Sequence, residues 1–215
     1  MTRQFLLTCG ILAMAWYGVM NIIVPPQFPG YDIASYTISE LSAVDAQSRP
    51  LWVTLAILYS ILFLAFGVGV RISAQGNRKL NIVGVVIILD VIIGVFWPPM
   101  HQREVIAAGG GTLTDTLHLV WAFVHLGLMM VMIGFGAAAF GRRFRIFSVC
   151  IVLVFIVFGM LTSMGSQGIA TGAPTPMLGI WERINIGAYS VWVIVFALLM
   201  IKRNEALSHT RPSMS

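Results

Sequence analysis

The fold class this sequence predicts is an all-α integral membrane bundle of six transmembrane helices, with both termini in the cytoplasm. Three observations predict it. First, 58% of the 215 residues are hydrophobic and only 10% are charged, against roughly 25% charged in ordinary soluble domains. A soluble fold of this length could not hide so much apolar surface, so lipid must cover part of it. Second, the apolar residues form continuous runs long enough to cross a hydrocarbon core. Third, the basic residues sit in short clusters between those runs, mostly in every other connection. Inside a bilayer only helices and closed barrels satisfy the backbone, and runs without strict alternation exclude the barrel. The whole chain, 1–215, reads as a single transmembrane domain.

The first run, 5–24, follows Arg3 and contains Ala13-Met14-Ala15, features shared with a secretory signal peptide. Its length suffices to span, so an uncleaved first helix is expected. Leu6-Leu7-Thr8-Cys9 loosely resembles a lipoprotein box, but Thr8 stands where a small residue is wanted. In 31–42, Ser35, Ser39 and Ser42 recur at helical spacing with Glu40 on another side. That pattern suggests a short re-entrant or interfacial helix capped by Asp32 or Ser35. The second and third helices are expected at 51–70 and 80–97, the third stopped by Pro98-Pro99. The remaining three are expected at 116–140, 146–164 and 184–201, followed by a flexible tail over 202–215. Cys9 and Cys150 both fall inside apolar runs and read as small apolar side chains, not a disulfide.

Orientation follows from the loops. Ten of the thirteen Lys and Arg residues lie at the N-terminus, in 71–79, in 141–145 or after Ile201, and only Arg49, Arg103 and Arg183 lie on the other side. The first set is therefore cytoplasmic. The net charge of +5 reflects this retention signal and does not point to nucleic acid. The outer connections, 25–50, 98–115 and 165–183, are longer and rich in Pro and Gly.

Six of the eight acidic residues, Asp32, Glu40, Asp45, Glu104, Asp115 and Glu182, belong to that outer side. Asp45 and Glu104 read as solvated loop charges, and Trp181 as an interface anchor. Glu182 and Arg183 read either as a neutral pair or as part of a site. Asp90 is different, because it interrupts an apolar run where a carboxylate costs about 2.5–3.5 kcal/mol. On the next helix Asp115, His118, Ala122 and His125 share one face. At 1.5 Å per residue, Asp90 lies about 10 Å and His125 about 13 Å below the outer boundary. A buried Asp90–His125 pair follows, either a structural contact or a working site. Glu40, His101, Asp115, His118 and Glu182 are expected to converge at the outer mouth of the bundle. Glu40, Asp115, His118 and Glu182 are the candidate catalytic groups. His101 and His118 are the candidate ligands for a divalent metal such as zinc.

Two classes of function stay open. One is a membrane enzyme or proton- or solute-handling protein, with a small-molecule or lipid substrate and one polar site open to the outside. The other is a structural or partner-binding membrane protein, since the small residues of 134–139 permit close packing within the monomer or in a homo-oligomer. No HExxH, GxSxG or Walker motif is present. Haem is disfavoured, because His118 and His125 on one helix face cannot ligate opposite sides of one iron.

Thr37-Ile38-Ser39-Glu40-Leu41, the Pro98-Pro99-Met100-His101 turn before Leu113-Thr114-Asp115-Thr116-Leu117-His118, and Trp181-Glu182-Arg183-Ile184-Asn185-Ile186-Gly187 occur in that order at the outer helix ends. In these motifs the chain resembles the bacterial membrane-protein family of unknown function DUF998 over nearly its whole length. The resemblance implies a polytopic protein of the cytoplasmic (inner) membrane. It draws attention to Ser39, Glu40, His101, Asp115, His118, Glu182 and Arg183, and it implies no activity. A reporter enzyme that works only outside the cytoplasm, fused after Lys202, is expected to be inactive; activity there would overturn the orientation.

Overall fold

The computed structural model describes residues 2–209. Its helices are α1 (Thr2–Ile23), α2 (Arg49–Ile72), α3 (Arg78–Val95), α4 (Arg103–Ala107), α5 (Leu113–Ala139), α6 (Arg142–Thr171) and α7 (Leu178–His209), and the described residues contain no strand. Five of these, α1, α2, α5, α6 and α7, are long and apolar enough to cross a membrane. The 18-residue α3 carries Arg78, Lys79 and Asp90, which sets it apart from those five. Its rise of about 27 Å is nonetheless close to a hydrocarbon core.

Several boundaries differ from the hydropathy pattern. Residues 31–42 form turns and not a helix. The Asp32 carboxylate accepts from the Ala34 N–H and the Ser35 hydroxyl, which closes the chain on itself. A short 3-10 turn follows at Ser39–Ser42. Helix α4 arises inside what reads as loop. Helix α6 runs on to Thr171, where Gly172 takes a left-handed φ of 67° and ends it. Helix α7 continues past Ile201 to His209, so the first part of the expected tail is helical. The rest of that tail, 210–215, lies outside the described residues.

Helix ends are capped by local chemistry. The Asn77 side chain accepts from the backbone of Lys79 and Leu80 at the start of α3. Thr112 and Asp115 form a reciprocal capping box at the start of α5.

Helix α1 lies against α2 and α7, α2 against α3, α3 against α5, and α6 against α7, while a lighter contact between α5 and α6 closes the ring. Toward the end of the bundle that carries the α5–α6 turn, the interior is aromatic. Trp192 and Phe196 stack with centroids 5.0 Å apart, Phe144 packs on both, and the Trp192 indole N–H donates to the Ser148 hydroxyl at 2.9 Å. The α5–α6 hairpin is the most peripheral part. The apolar windows of α5 and α6 are each 17% buried, against 39%, 28% and 33% for α1, α2 and α7. Along α5, Met132, Ile133, Gly136 and Ala137 are buried near the C-terminal end, whereas His118 is the one buried residue of the N-terminal half.

Helices α2 and α3 approach through glycine. A Cβ on Gly84 would come within 2.8 Å of the Arg71 backbone N and 2.9 Å of the Gly67 carbonyl, neither of which can move without displacing α2. Gly84→Ala is therefore expected to destabilise by about 1–3 kcal/mol. Gly134→Ala, where a Cβ would meet nothing within 4 Å, serves as the control. Thermal melts in detergent check both, and equal melting points would refute the close crossing.

Candidate functional site

The outer end of the bundle is organised by two arginines. Arg103, the first residue of α4, meets Glu40 in a bidentate ion pair, Nε to Oε1 at 2.6 Å and Nη2 to Oε2 at 2.8 Å. Two further guanidinium protons go to the Thr175 hydroxyl at 2.9 Å and the Ser35 carbonyl at 3.0 Å. Its Cζ lies 3.7 Å from the centroid of the Tyr36 ring. Glu40 is 1% exposed, and its Oε2 also accepts from the Thr37 N–H and hydroxyl. Burial alone would lower the Arg103 pKa, but the hydrogen bond and charge of Glu40 hold it above the usual value.

Arg183, in the first turns of α7, donates through Nη1 to the carbonyls of Ile33, Tyr36 and Gly179, each at 3.0 Å, and through Nη2 to the Tyr31 hydroxyl at 2.6 Å. Burial pushes the Tyr31 hydroxyl up to about 12, against the pull of the Arg183 charge, so it remains a neutral donor to the Thr37 carbonyl. Glu182 accepts from the Ile38 N–H. Glu40, Glu182 and both arginines thus grip the single segment 33–38.

His101 and Asp115 form a second cluster. The His101 N–H donates to Asp115 Oδ1 at 2.7 Å and its Nδ1 meets Oδ2 at 2.9 Å, while Thr112 N donates to the same Oδ2 at 2.7 Å. Asp115 is thereby spent on capping α5 and anchoring the 98–102 turn. One turn along, His118 Nδ1 faces the Pro98 carbonyl at 2.7 Å. A carbonyl only accepts, so Nδ1 carries the proton and Nε2 is left as the acceptor.

Deeper in the bundle, His125 Nδ1 lies 2.8 Å from Asp90 Oδ1, with Asp90 5% exposed. The contact lacks the alignment of a hydrogen bond, and both Asp90 Oδ1 and His125 Nε2 are buried without a hydrogen-bond partner. Trp121 packs on the His125 ring with centroids 4.1 Å apart.

The candidate residues therefore divide into three bonded groups. Glu40 and Glu182 belong to the arginine cap, His101 and Asp115 to the α5 cap, and Asp90 and His125 to the interior, with His118 between the last two. Among the described residues, no three His, Cys, Asp or Glu side chains form a group that would hold a metal ion. Two surface hollows, about 490 Å³ beside Asn21, Phe28 and Tyr31 and about 340 Å³ at the 71–81 turn, contain none of the candidates.

Sequence reasoning missed Arg103, which it counted only as an outer charge. Its signal was its isolation, as one of three basic residues on a face with six carboxylates. Arg103→Ala is expected to destabilise by about 3–5 kcal/mol, because it strands a buried carboxylate. Adding Glu40→Ala should cost little more, since the two act as one unit. Detergent melting of the single and double variants checks this, and simple additivity would refute it.

No curated protein and no solved structure matches this chain. A family model does match, over residues 11–199, and the chain belongs to that family, described as protein of unknown function DUF998.

Proposed function

We propose that this protein binds and releases protons inside the membrane through the Asp90–His125 pair, and that the outer carboxylates brace the fold that holds the pair in place. The observation that carries this reading is an ionisable pair, 2.8 Å apart, set among apolar spans with buried polar atoms left unsatisfied. Such groups within a membrane are expensive, and they recur where protons or ions are handled. The outer carboxylates favour a bracing role: both oxygens of Glu40 and both of Asp115 are engaged by donors from their own chain. A nucleophile or metal-bound water would have to displace those donors.

The protein is further proposed to sit in a bacterial inner membrane as six spans with both ends inside. The ten-to-three distribution of basic residues supports this orientation. With α3 counted as a span, the six helices alternate direction and bring the arginine cap to the outer face. The bilayer is the partner this reading requires.

The test is infrared spectroscopy of protonated carboxyl groups in proteoliposomes across a series of external pH values. A carboxyl band should titrate in the wild type, vanish in Asp90→Asn and shift its midpoint in His125→Phe. Identical titrations of wild type and Asp90→Asn would sink the proposal.

A further inference from the structure

Resting on the proton-handling reading, we infer that Trp121 gates the Asp90–His125 pair: its indole separates His125 from His118, and its displacement joins the two imidazoles into one outward proton path. The pair is sealed as it stands, since Asp90 Oδ1 and His125 Nε2 are both buried and unpartnered. Proton exchange with the outer side therefore needs an opening.

The titratable groups around Asp90 narrow where that opening lies. From α5 it faces His125; from α2 and α7 it faces Tyr59 and Tyr189, which lie within reach of its charge, with Tyr17 of α1 beside Tyr59. Phenols do not exchange protons readily near neutral pH. Among the described residues, His125 is the one ion-pair partner of Asp90, so its imidazole is the way in.

Along α5, residues 115, 118, 121 and 125 follow helical spacing and share the face turned to α3. Asp115 and His101 lie at the outer end of this strip. His118 comes next, with its Nδ1–H held by the Pro98 carbonyl, so that its Nε2 is the atom able to receive a proton. At His125 the Nδ1 edge lies against the carboxylate, which leaves Nε2 to complete the path. About 10 Å of helix separates the two imidazoles. The Trp121 ring fills that interval, 5.6 Å from His118 and 4.1 Å from His125 between centroids.

The hold on this ring is light. A single hydrogen bond, Nε1 to the Ile93 carbonyl at 3.2 Å, ties it to α3, and that carbonyl already accepts the Phe96 N–H. The indole is only partly buried, on the helix half with the fewest buried neighbours. Swinging it outward lets a short water chain run from His118 to His125 without any helix having to move.

The test is the rate at which Asp90 takes up a proton after a rapid drop in external pH, read from its carboxyl infrared band in proteoliposomes. Trp121→Ala should raise that rate by about tenfold or more, the scale of releasing one ring contact and one hydrogen bond. Trp121→Phe, which keeps a ring and loses the tether, should raise it less, and it carries the test if the alanine variant misfolds. Adding His118→Phe should cancel the gain. If Asp90 still titrates but its rate is the same in wild type and in the folded Trp121 variants, the gate is overturned while the proton-handling reading stands. If Asp90 does not titrate in the wild type at all, that reading falls and the gate falls with it.

Discussion

Arg103 reaches Glu40 across 63 residues of chain, and this buried ion pair sets the arrangement of the outer end. Withdrawing a guanidinium and a carboxylate from water costs several kcal/mol each, and attraction offsets that only when the remaining protons and lone pairs are also satisfied. The requirement explains the company the pair keeps. Ser35 must present its carbonyl, Thr175 its hydroxyl, Thr37 its N–H and Tyr36 its ring face, and these come from two different outer connections. Once they are in place, α4 lies against α6 and the 98–102 turn has one route back to α5. The end of α3 and the start of α5 are then fixed relative to each other, which is what places Asp90 beside His125.

The two polar regions of the molecule differ in their degree of satisfaction. In the cap, both oxygens of Glu40 and both of Asp115 have donors. Inside the spans the reverse holds: Asp90, His125, Thr162 and Asn185 each leave a buried polar atom unmatched. Such atoms are rare in folded proteins, because each lost hydrogen bond in a dry interior costs about 1–3 kcal/mol. A cap so fully bonded supplies stability that an interior so incompletely bonded consumes.

Helices were legible in the sequence because apolar solvent leaves the backbone few choices, and runs such as 51–70 have one reading in lipid. The pairing of Asp90 with His125 was legible for a similar reason, since helical rise is fixed and the two long helices follow one another in the chain. Their separation of 2.8 Å required coordinates. The ends of α6 and α7 were harder. Gly165, Ser166 and Gly168 look like loop by composition, yet they continue α6 because Leu178 and Trp181 pack against Gly165, and Thr175 against Gly168. The grouping at the outer face was least legible. Nothing local reveals that Asp115 will cap its own helix while Glu40 seeks an arginine from the following outer connection; competition among donors decides it, and that is settled only when all three connections meet.

Helix α7 carries an arginine fastener at each end. Near its start, Arg183 holds the carbonyls of Ile33 and Tyr36; toward its end, Arg203 holds those of Ser73 and Ala74 at 2.7 and 3.3 Å. Twenty residues separate the two arginines, a rise of about 30 Å, which is about the thickness of a hydrocarbon core. Neither guanidinium can follow a change in bilayer thickness by sliding its helix, because each is bonded to backbone that belongs to other elements. The molecule thus carries an internal ruler, and a membrane of different thickness must deform around it or tilt the bundle as a whole, each at a fraction of a kcal/mol per Å of mismatch.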